Sequence, residues 1–321
     1  MDSSRELVAG IDLGGTKCLG VLADTCGTMV DQHQIAVGEE RRAERALEEM
    51  LDALQTSARS SGGALASAAV GVPAVLDPQT GFAVRGPNAG WDGVDVGEIV
   101  GRIGVPYAME NDVNLAALAE GRVGAARASA DYVVVSIGTG LGGAIVSGGR
   151  QLMGAHAGVG EFGEIPPLVP VPLDDPGPLR NLEWTLSGAG ISASAARYVR
   201  RHPGAARELG DAPDARAVVA AAVRGSAAGR AVLAPVLDSL AYCVATLMAV
   251  VDPDLVILDG SVGRSLEPFR DALVREVARR TVTSPQIEVS QLLPNSTILG
   301  AVQRALDLVR PAGPSRQEGA Q

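Results

Sequence analysis

The sequence predicts two α/β domains of related topology with a cleft between them. Three observations predict this. Short buried strands alternate with helical stretches along the chain. A unit of strand, glycine turn, strand and later helix occurs twice, beginning near residues 7 and 132. The chain has 321 residues, of which 46% are hydrophobic, enough for a large core. By length alone it fits about two domains.

The elements follow in order. Residues 7–13 (LVAGIDL) read as a buried strand, 14–16 as a glycine turn and 18–22 as a second strand. A third strand runs over about 28–37, making a meander with a glycine hairpin at its first corner. Apolar positions 43, 46, 47, 50, 51 and 54 have helical spacing, so 41–60 is a helix. Residues 67–72 are a buried strand ended by Pro73, and 74–93 a loop rich in Gly, Pro, Asn and Asp. A strand at 105–109 leads into a helix at 112–123. The pattern then restarts with a strand at 132–137, a glycine turn at 138–143 and a strand at 144–147. Residues 165–181, dense in proline, read as loop. Helices are expected at 188–201, 215–224, 228–250 and 265–280, with a buried strand at 254–259 closed by Gly260. A last helix spans 298–309. The expected boundaries are residues 1–115 with 298–310 for a smaller domain and 116–297 for a larger one. The tail 311–321 is expected to be disordered.

Composition excludes several classes. Acidic residues number 37 against 27 basic ones, for a net charge of -10, so nothing offers a basic surface to nucleic acid or membrane. The three cysteines, Cys18, Cys26 and Cys243, are too few and too scattered for a disulfide framework. No basic segment followed by an apolar one opens the sequence, so a cytoplasmic location is expected. The longest nearly apolar run, Leu240–Val251, is short of the ~20 residues that span a bilayer. Aromatics are only 3%, so the core must be Ala, Val and Leu with close backbone approaches. Lys17 is the one lysine among 27 basic residues, a bias typical of a GC-rich genome, and it falls inside a glycine turn.

Four features can carry chemistry. In IDLGGTK (11–17), a strand ending at Gly14 and Gly15 presents backbone N–H groups to an anion such as phosphate. Thr16 adds a hydroxyl, Lys17 a positive charge, and Asp12 a carboxylate able to hold a phosphate-bound Mg²⁺ directly or through water. Without a ligand the same residues make an ordinary tight hairpin. The second turn, SIGTGLGG (136–143), holds more glycine than a hairpin needs, with Gly138, Thr139 and Gly140 at its tip. Neither turn has the Walker A spacing or opens a helix as a dinucleotide fingerprint does. ENDVN (110–114) puts Asp112 between strand and helix, where it is either an N-cap or a base facing a hydroxyl nucleophile. Asn111 beside it suits sugar hydroxyls. Glu161, Glu164 and Glu183 lie in a Gly- and Pro-rich region, as solvated surface or as polyol ligands.

Together these pieces resemble the ROK family (repressors, ORFs and sugar kinases) of the actin-like ATPase superfamily. The resemblance covers about residues 8–310. It rests on IDLGGTK, GVPAVLD (71–77), PNAGW (87–91), ENDVNLAALAE (110–120), SIGTGLGG, GEFGE (160–164), NLE (181–183) and LDGSVG (258–263), in that order. It implies two actin-like, ribonuclease-H-like α/β domains closing on a sugar, and commonly a homodimer. It implies that Asp12, Gly14, Gly15, Thr16, Lys17, Gly138, Thr139 and Gly140 hold the ATP phosphates, with Gly260 and Ser261 near the adenosine. Asn88, Asn111, Glu161 and Glu183 would hold the sugar, and Asp112 would be the base. The expected activity is ATP- and Mg²⁺-dependent transfer to the primary (6-) hydroxyl of a glucose-like hexose.

One departure is large. Family members usually carry a His and three Cys that bind a structural zinc. Here Glu164 stands at the His position and 165–182 holds no cysteine, so no zinc is expected. Glu164 either faces solvent or pairs with a substrate ammonium, which would favour an amino sugar such as kanosamine or glucosamine, as in antibiotic biosynthesis. A glucokinase with a relaxed site, a cyclitol kinase and a polyphosphate donor stay open, although LDGSVG favours ATP. The family's regulators carry a helix-turn-helix before the first turn. Only about nine residues precede the first glycine-bounded strand here, too few for the two helices of that motif, so a sugar-sensing regulator is not expected.

Overall fold

The computed structural model describes residues 5–38, 42–76, 83–85, 95–167, 181–283, 285–292 and 295–309. The chain forms two compact units: one holds residues up to Val123, Gly154–Ala157 and those from Leu292 onward, and the other Gly124–Met153 and Gly158–Gln291.

In the first unit, β1 (Arg5–Leu13), β2 (Lys17–Asp24) and β3 (Met29–Ala36) form the expected meander, followed by α1 (Ala43–Ser60) and β4 (Gly63–Val72). The stretch read as loop contains β5 (Val75–Leu76) and β6 (Ala83–Arg85), and α2 (Val96–Gly101) follows it. Then come β7 (Tyr107–Asn111) and α3 (Asp112–Val123). The strand predicted at 105–109 is thus displaced two residues, which puts Asn111 at a strand end and Asp112 at a helix start. Sheet order is β3-β2-β1-β4-β7, with β1 antiparallel to β2 and parallel to β4. β1 is buried on both faces: Leu7, Ala9, Ile11 and Leu13 pack with Met50 and Leu54 of α1, while Val8 packs on the opposite side.

The second unit repeats that plan. β8 (Tyr132–Ile137), β9 (Leu141–Ser147) and β10 (Arg150–Gln151) form a meander; α4 (Glu183–Leu186), α5 (Gly188–Arg201), α6 (Ala206–Leu209), α7 (Ala215–Val223) and α8 (Ala227–Val251) follow. β11 (Leu255–Asp259), α9 (Gly260–Ser265), α10 (Arg270–Ala278) and β12 (Gln286–Val289) complete it. Its order, β10-β9-β8-β11-β12, matches the first sheet strand for strand, with β8 antiparallel to β9 and parallel to β11. The duplication seen in the sequence is therefore a duplication of topology. The chain returns to the first unit in α11 (Ser296–Val309), whose Ile298, Ala301 and Val302 pack against Val8, Ala69 and Leu115.

Several boundaries differ from the sequence expectation. β9 begins at Leu141, not 144, because Gly142 and Gly143 pair with Ser136 and Val135, so the second turn is only Gly138–Gly140. The predicted helix at 265–280 is the shorter α10, preceded by a 3₁₀ turn at Glu267–Phe269 that contains Pro268, and α9 lies before it where no helix was expected. β12 was not foreseen. α8 is 25 residues, long and apolar enough to cross a membrane by composition, where the sequence reading found a shorter run. Val232, Leu233, Val236, Leu240 and Val244 along it lie in the core of the second unit. The tail 311–321 lies outside the described residues.

Candidate functional site

In the first unit, the parallel strands β1, β4 and β7 end side by side, and polar side chains gather at those ends. Asp12 is registered with Gly71 of β4, and Val72 with Asn111 of β7. Ligands of α/β sheets bind outside the carboxyl ends of such strands. Asp12 is half-buried, and its Oδ2 accepts a hydrogen bond from Asn295 Nδ2 at 3.0 Å. Gly71 has a steric reason to lack a side chain: a Cβ there would stand 2.9 Å from Thr297 Cγ2 and 3.0 Å from Leu115 Cδ1.

The cap of α3 is divided between two residues. Asn111 Oδ1 accepts from Val113 N at 2.9 Å and Asn114 N at 3.3 Å, and its Nδ2 donates to the Ala74 carbonyl at 3.3 Å. One amide hydrogen then remains to Asn111 for other work. Asp112 is the first helical residue, and its Oδ1 accepts from Val113 N at 2.9 Å. One residue back, Glu110 pairs with Arg304 of α11 at 2.6 Å; burial pushes the Glu110 carboxyl above the usual range, and Arg304 opposes that rise.

The hairpin tip differs from an open anion nest. Gly14 N–H donates to the Lys17 carbonyl at 2.9 Å, so that donor closes the turn. Gly15, Thr16 and Lys17 are exposed at the tip. Cys18, just beyond, is raised to about 12 by burial and secondarily by the Asp12 charge, so it stays a thiol.

In the second unit, the Gly138–Gly140 turn is fixed from several sides. Gly138 N–H donates to the Gly140 carbonyl at 3.0 Å, and Gly188 N–H, at the start of α5, donates to the Gly138 carbonyl at 2.8 Å. Gly260 enters α9 at φ 79°, and a Cβ on it would lie 2.5 Å from the Ile137 carbonyl oxygen. α9 therefore abuts the end of β8 where only glycine fits. A cavity of about 250 Å³ opens here, lined by Gly138, Thr139, Gly188, Ala189, Ser192, Asp214, Ala215, Arg216, Ser261, Val262 and Ser265.

The structure thus brings Gly138, Thr139 and Ser261 to one cavity, with Gly140 and Gly260 next to them in the chain. Asp12, Asn111 and Asp112 share one sheet end. Glu183 Oε2 accepts from Leu141 N at 3.0 Å, next to Gly140. Glu161 is half-buried and precedes a 3₁₀ turn, Phe162–Glu164, in which Phe162 is core and Glu164 is exposed. Asn88 lies outside the described residues. Sequence reasoning missed the cavity residues of α5 and α7. Their signals were Ser187 before Gly-Ala-Gly and Asp214 before an apolar run, both helix caps: Ser187 Oγ accepts from Gly190 N at 3.0 Å and Asp214 Oδ1 from Ala217 N at 2.7 Å.

Asp12 fits a magnesium ion. A half-buried, oriented hard-oxygen donor is what Mg²⁺ takes when phosphates and water complete its shell. Among the described residues no group of three or more His, Cys, Asp or Glu is arranged for a metal. The family's zinc does not fit. Residues 165–182 offer neither Cys nor His, Cys18 and Cys243 are buried in separate cores, and Cys26 is exposed.

Two meander-plus-parallel sheets of identical order, with polar groups at the ends of their parallel strands, define an actin-like α/β fold. The ROK family model matches residues 8–307, and the chain belongs to the ROK family. The bifunctional enzyme NanE/NanK of Brucella suis biovar 1 (strain 1330) is 35% identical over 206 residues. That match covers 63% of this chain and 35% of that protein, so the chain spans about a third of its relative's length. The glucokinase of Thermotoga maritima is 28% identical over 311 residues, covering 91% of this chain and 95% of the other. A ROK family glucokinase from Streptomyces griseus, solved with glucose and AMPPNP, superposes with a TM-score of 0.78 at 26% identity, covering 94% and 99% of the two chains.

Proposed function

We propose that this protein is an ATP-dependent sugar kinase acting on the primary (6-) hydroxyl of a glucose-like hexose. The observation that carries the reading is Asp112. Asn111 takes two of the N–H groups of the first turn of α3, and Asp112 stands at the same sheet end as Asp12. A carboxylate there can accept the proton of a hydroxyl as its oxygen attacks the γ-phosphorus. The bond from that phosphorus to the bridging oxygen breaks, and ADP leaves. Asp12 would hold the magnesium, which when bound would neutralise phosphate charge. The Gly138–Gly140 turn and the tip Gly15–Lys17 would orient the phosphates, and the cavity beside Ser261 would take the adenosine. The relatives named glucokinase support this reading.

In this reading Asn88, Asn111, Glu161 and Glu183 hold the sugar, and the exposed carboxylate of Glu164 meets a substrate ammonium. Glu164 closes the 3₁₀ turn that follows Glu161, and its exposure supports an amino-sugar preference. ADP release from MgATP is to be measured with glucose, mannose, N-acetylmannosamine, glucosamine and kanosamine. Turnover of an amino sugar above glucose is expected, with Glu164→His reversing it. A preference for glucose unaffected by Glu164→His would remove the ammonium role. No turnover with any sugar would count against the kinase.

A further inference from the structure

The two carboxylates that the kinase reading needs come from β1 and from the β7–α3 junction, 100 residues apart in sequence. One short segment touches both. Asn295, directly before α11, donates from Nδ2 to Asp12 Oδ2 at 3.0 Å. Thr297, in the first turn of α11, donates from Oγ1 to the backbone carbonyl of Asp112 at 3.2 Å.

Neither contact is free to drift. Asn295 Oδ1 accepts the Ile298 backbone N–H at 2.7 Å. A flipped amide would set NH₂ against that N–H and oxygen against a carboxylate, so its orientation is determined at both ends. Thr297 is held by its methyl group, which occupies the space that a Gly71 side chain would need. The helix behind them is anchored, with Ile298, Ala301 and Ala305 fully buried. The amide adds no charge, so it orients Asp12 without competing for a cation.

We propose that Asn295 and Thr297 are positioning residues, a clasp at the start of α11 that sets the Asp12 carboxylate for the metal–nucleotide and the Asp112 backbone for the base. This rests on the kinase reading above. Asn295 acts on cation and nucleotide binding, and Thr297 on turnover alone.

The test uses the full-length protein and separates this role from mere helix capping. Asn295→Ser keeps a side-chain oxygen for the Ile298 N–H but is too short for Asp12. Its melting temperature should stay near that of the wild type. Its affinity for Mn²⁺–ADP, measured by calorimetry, should fall about tenfold, as for loss of a group that orients a metal ligand. Asp12→Asn sets the reference for that loss. Thr297→Val should lower kcat about tenfold with sugar KM and Mn²⁺–ADP affinity unchanged, and Thr297→Ser should restore it. Wild-type Mn²⁺–ADP affinity in Asn295→Ser, or wild-type kcat in Thr297→Val, would overturn the corresponding half. Because the Mn²⁺–ADP titration needs no sugar, it reads Asn295 even if no sugar is turned over. Absence of Mn²⁺–ADP binding by the wild-type protein would overturn the assignment for Asp12 and Asn295 together.

Discussion

Glu183, the first residue of α4, holds the first residue of β9: its Oε2 accepts the Leu141 backbone N–H at 3.0 Å. Gly188, five residues on, holds the carbonyl of Gly138 at 2.8 Å. The Gly138–Gly140 turn is therefore clamped before and after by one stretch of chain, and a residue expected to bind sugar also has a structural task.

The two tasks separate by substitution. Glu183→Gln keeps an oxygen for the Leu141 N–H but loses the charge. Its melting temperature is expected to stay close to wild type while sugar affinity falls. Glu183→Ala leaves that N–H without its partner, at a cost of about 1–3 kcal/mol. Melting curves and sugar titrations of both variants check this. Equal stability of the Ala and Gln variants would show that the bond to Leu141 contributes nothing.

Asp112→Asn is expected to lower kcat by about 10²–10⁴, the range of general-base catalysis, and to leave sugar binding nearly intact. Asn111 supplies most of the cap and Thr297 holds the backbone carbonyl, not the side chain. The fold should therefore tolerate the change. Single-turnover kinetics with a parallel sugar titration would show it, and retained turnover would remove Asp112 from the role.

What was legible in the sequence was local. Buried runs such as YVVVSI and LVILD marked β8 and β11, and the glycine turns marked the meander corners. β12 escaped because QIEV is four residues of mixed polarity, made a strand only by pairing with β11. α9 escaped because Gly260 reads as a stop, whereas at positive φ it is the bend that lets a helix start at once. In the site, Asp12, Asp112 and Gly138 were visible as motifs. Asn295 lies 283 positions from Asp12, and no spacing rule relates residues that meet only through tertiary packing.

The Glu110–Arg304 pair makes a prediction about pH. Burial raises the Glu110 carboxyl above its unfolded value of 4.5, against the pull of Arg304. The unfolded chain then gives up this proton more readily than the folded one as pH rises. The stability Glu110 contributes is fully present below pH 4.5 and is lost as pH climbs through the raised folded value. Relative to Glu110→Gln, the wild-type protein should therefore gain stability on going from neutral pH toward 4.5. Denaturant midpoints of both proteins across that interval measure it. A constant difference would show that Glu110 titrates alike in both states.

If adenosine occupies the second-unit cavity, a change at Ala189, a residue expected to meet neither phosphate nor sugar, should block its binding. Ala189 lines that cavity, is exposed, and sits in the first turn of α5. Leucine is nearly as good a helix former as alanine, so Ala189→Leu should not disturb the helix. Its larger side chain would project into a space of about 250 Å³. If adenosine occupies that space, KM for ATP should rise about tenfold or more, equivalent to about 1.4 kcal/mol. Sugar KM and melting temperature should not change. Steady-state kinetics varying ATP and sugar in turn would measure both constants. If the donor were polyphosphate, which has no base or ribose to seat, Ala189→Leu would leave the donor KM unchanged, so the same variant distinguishes the two donors.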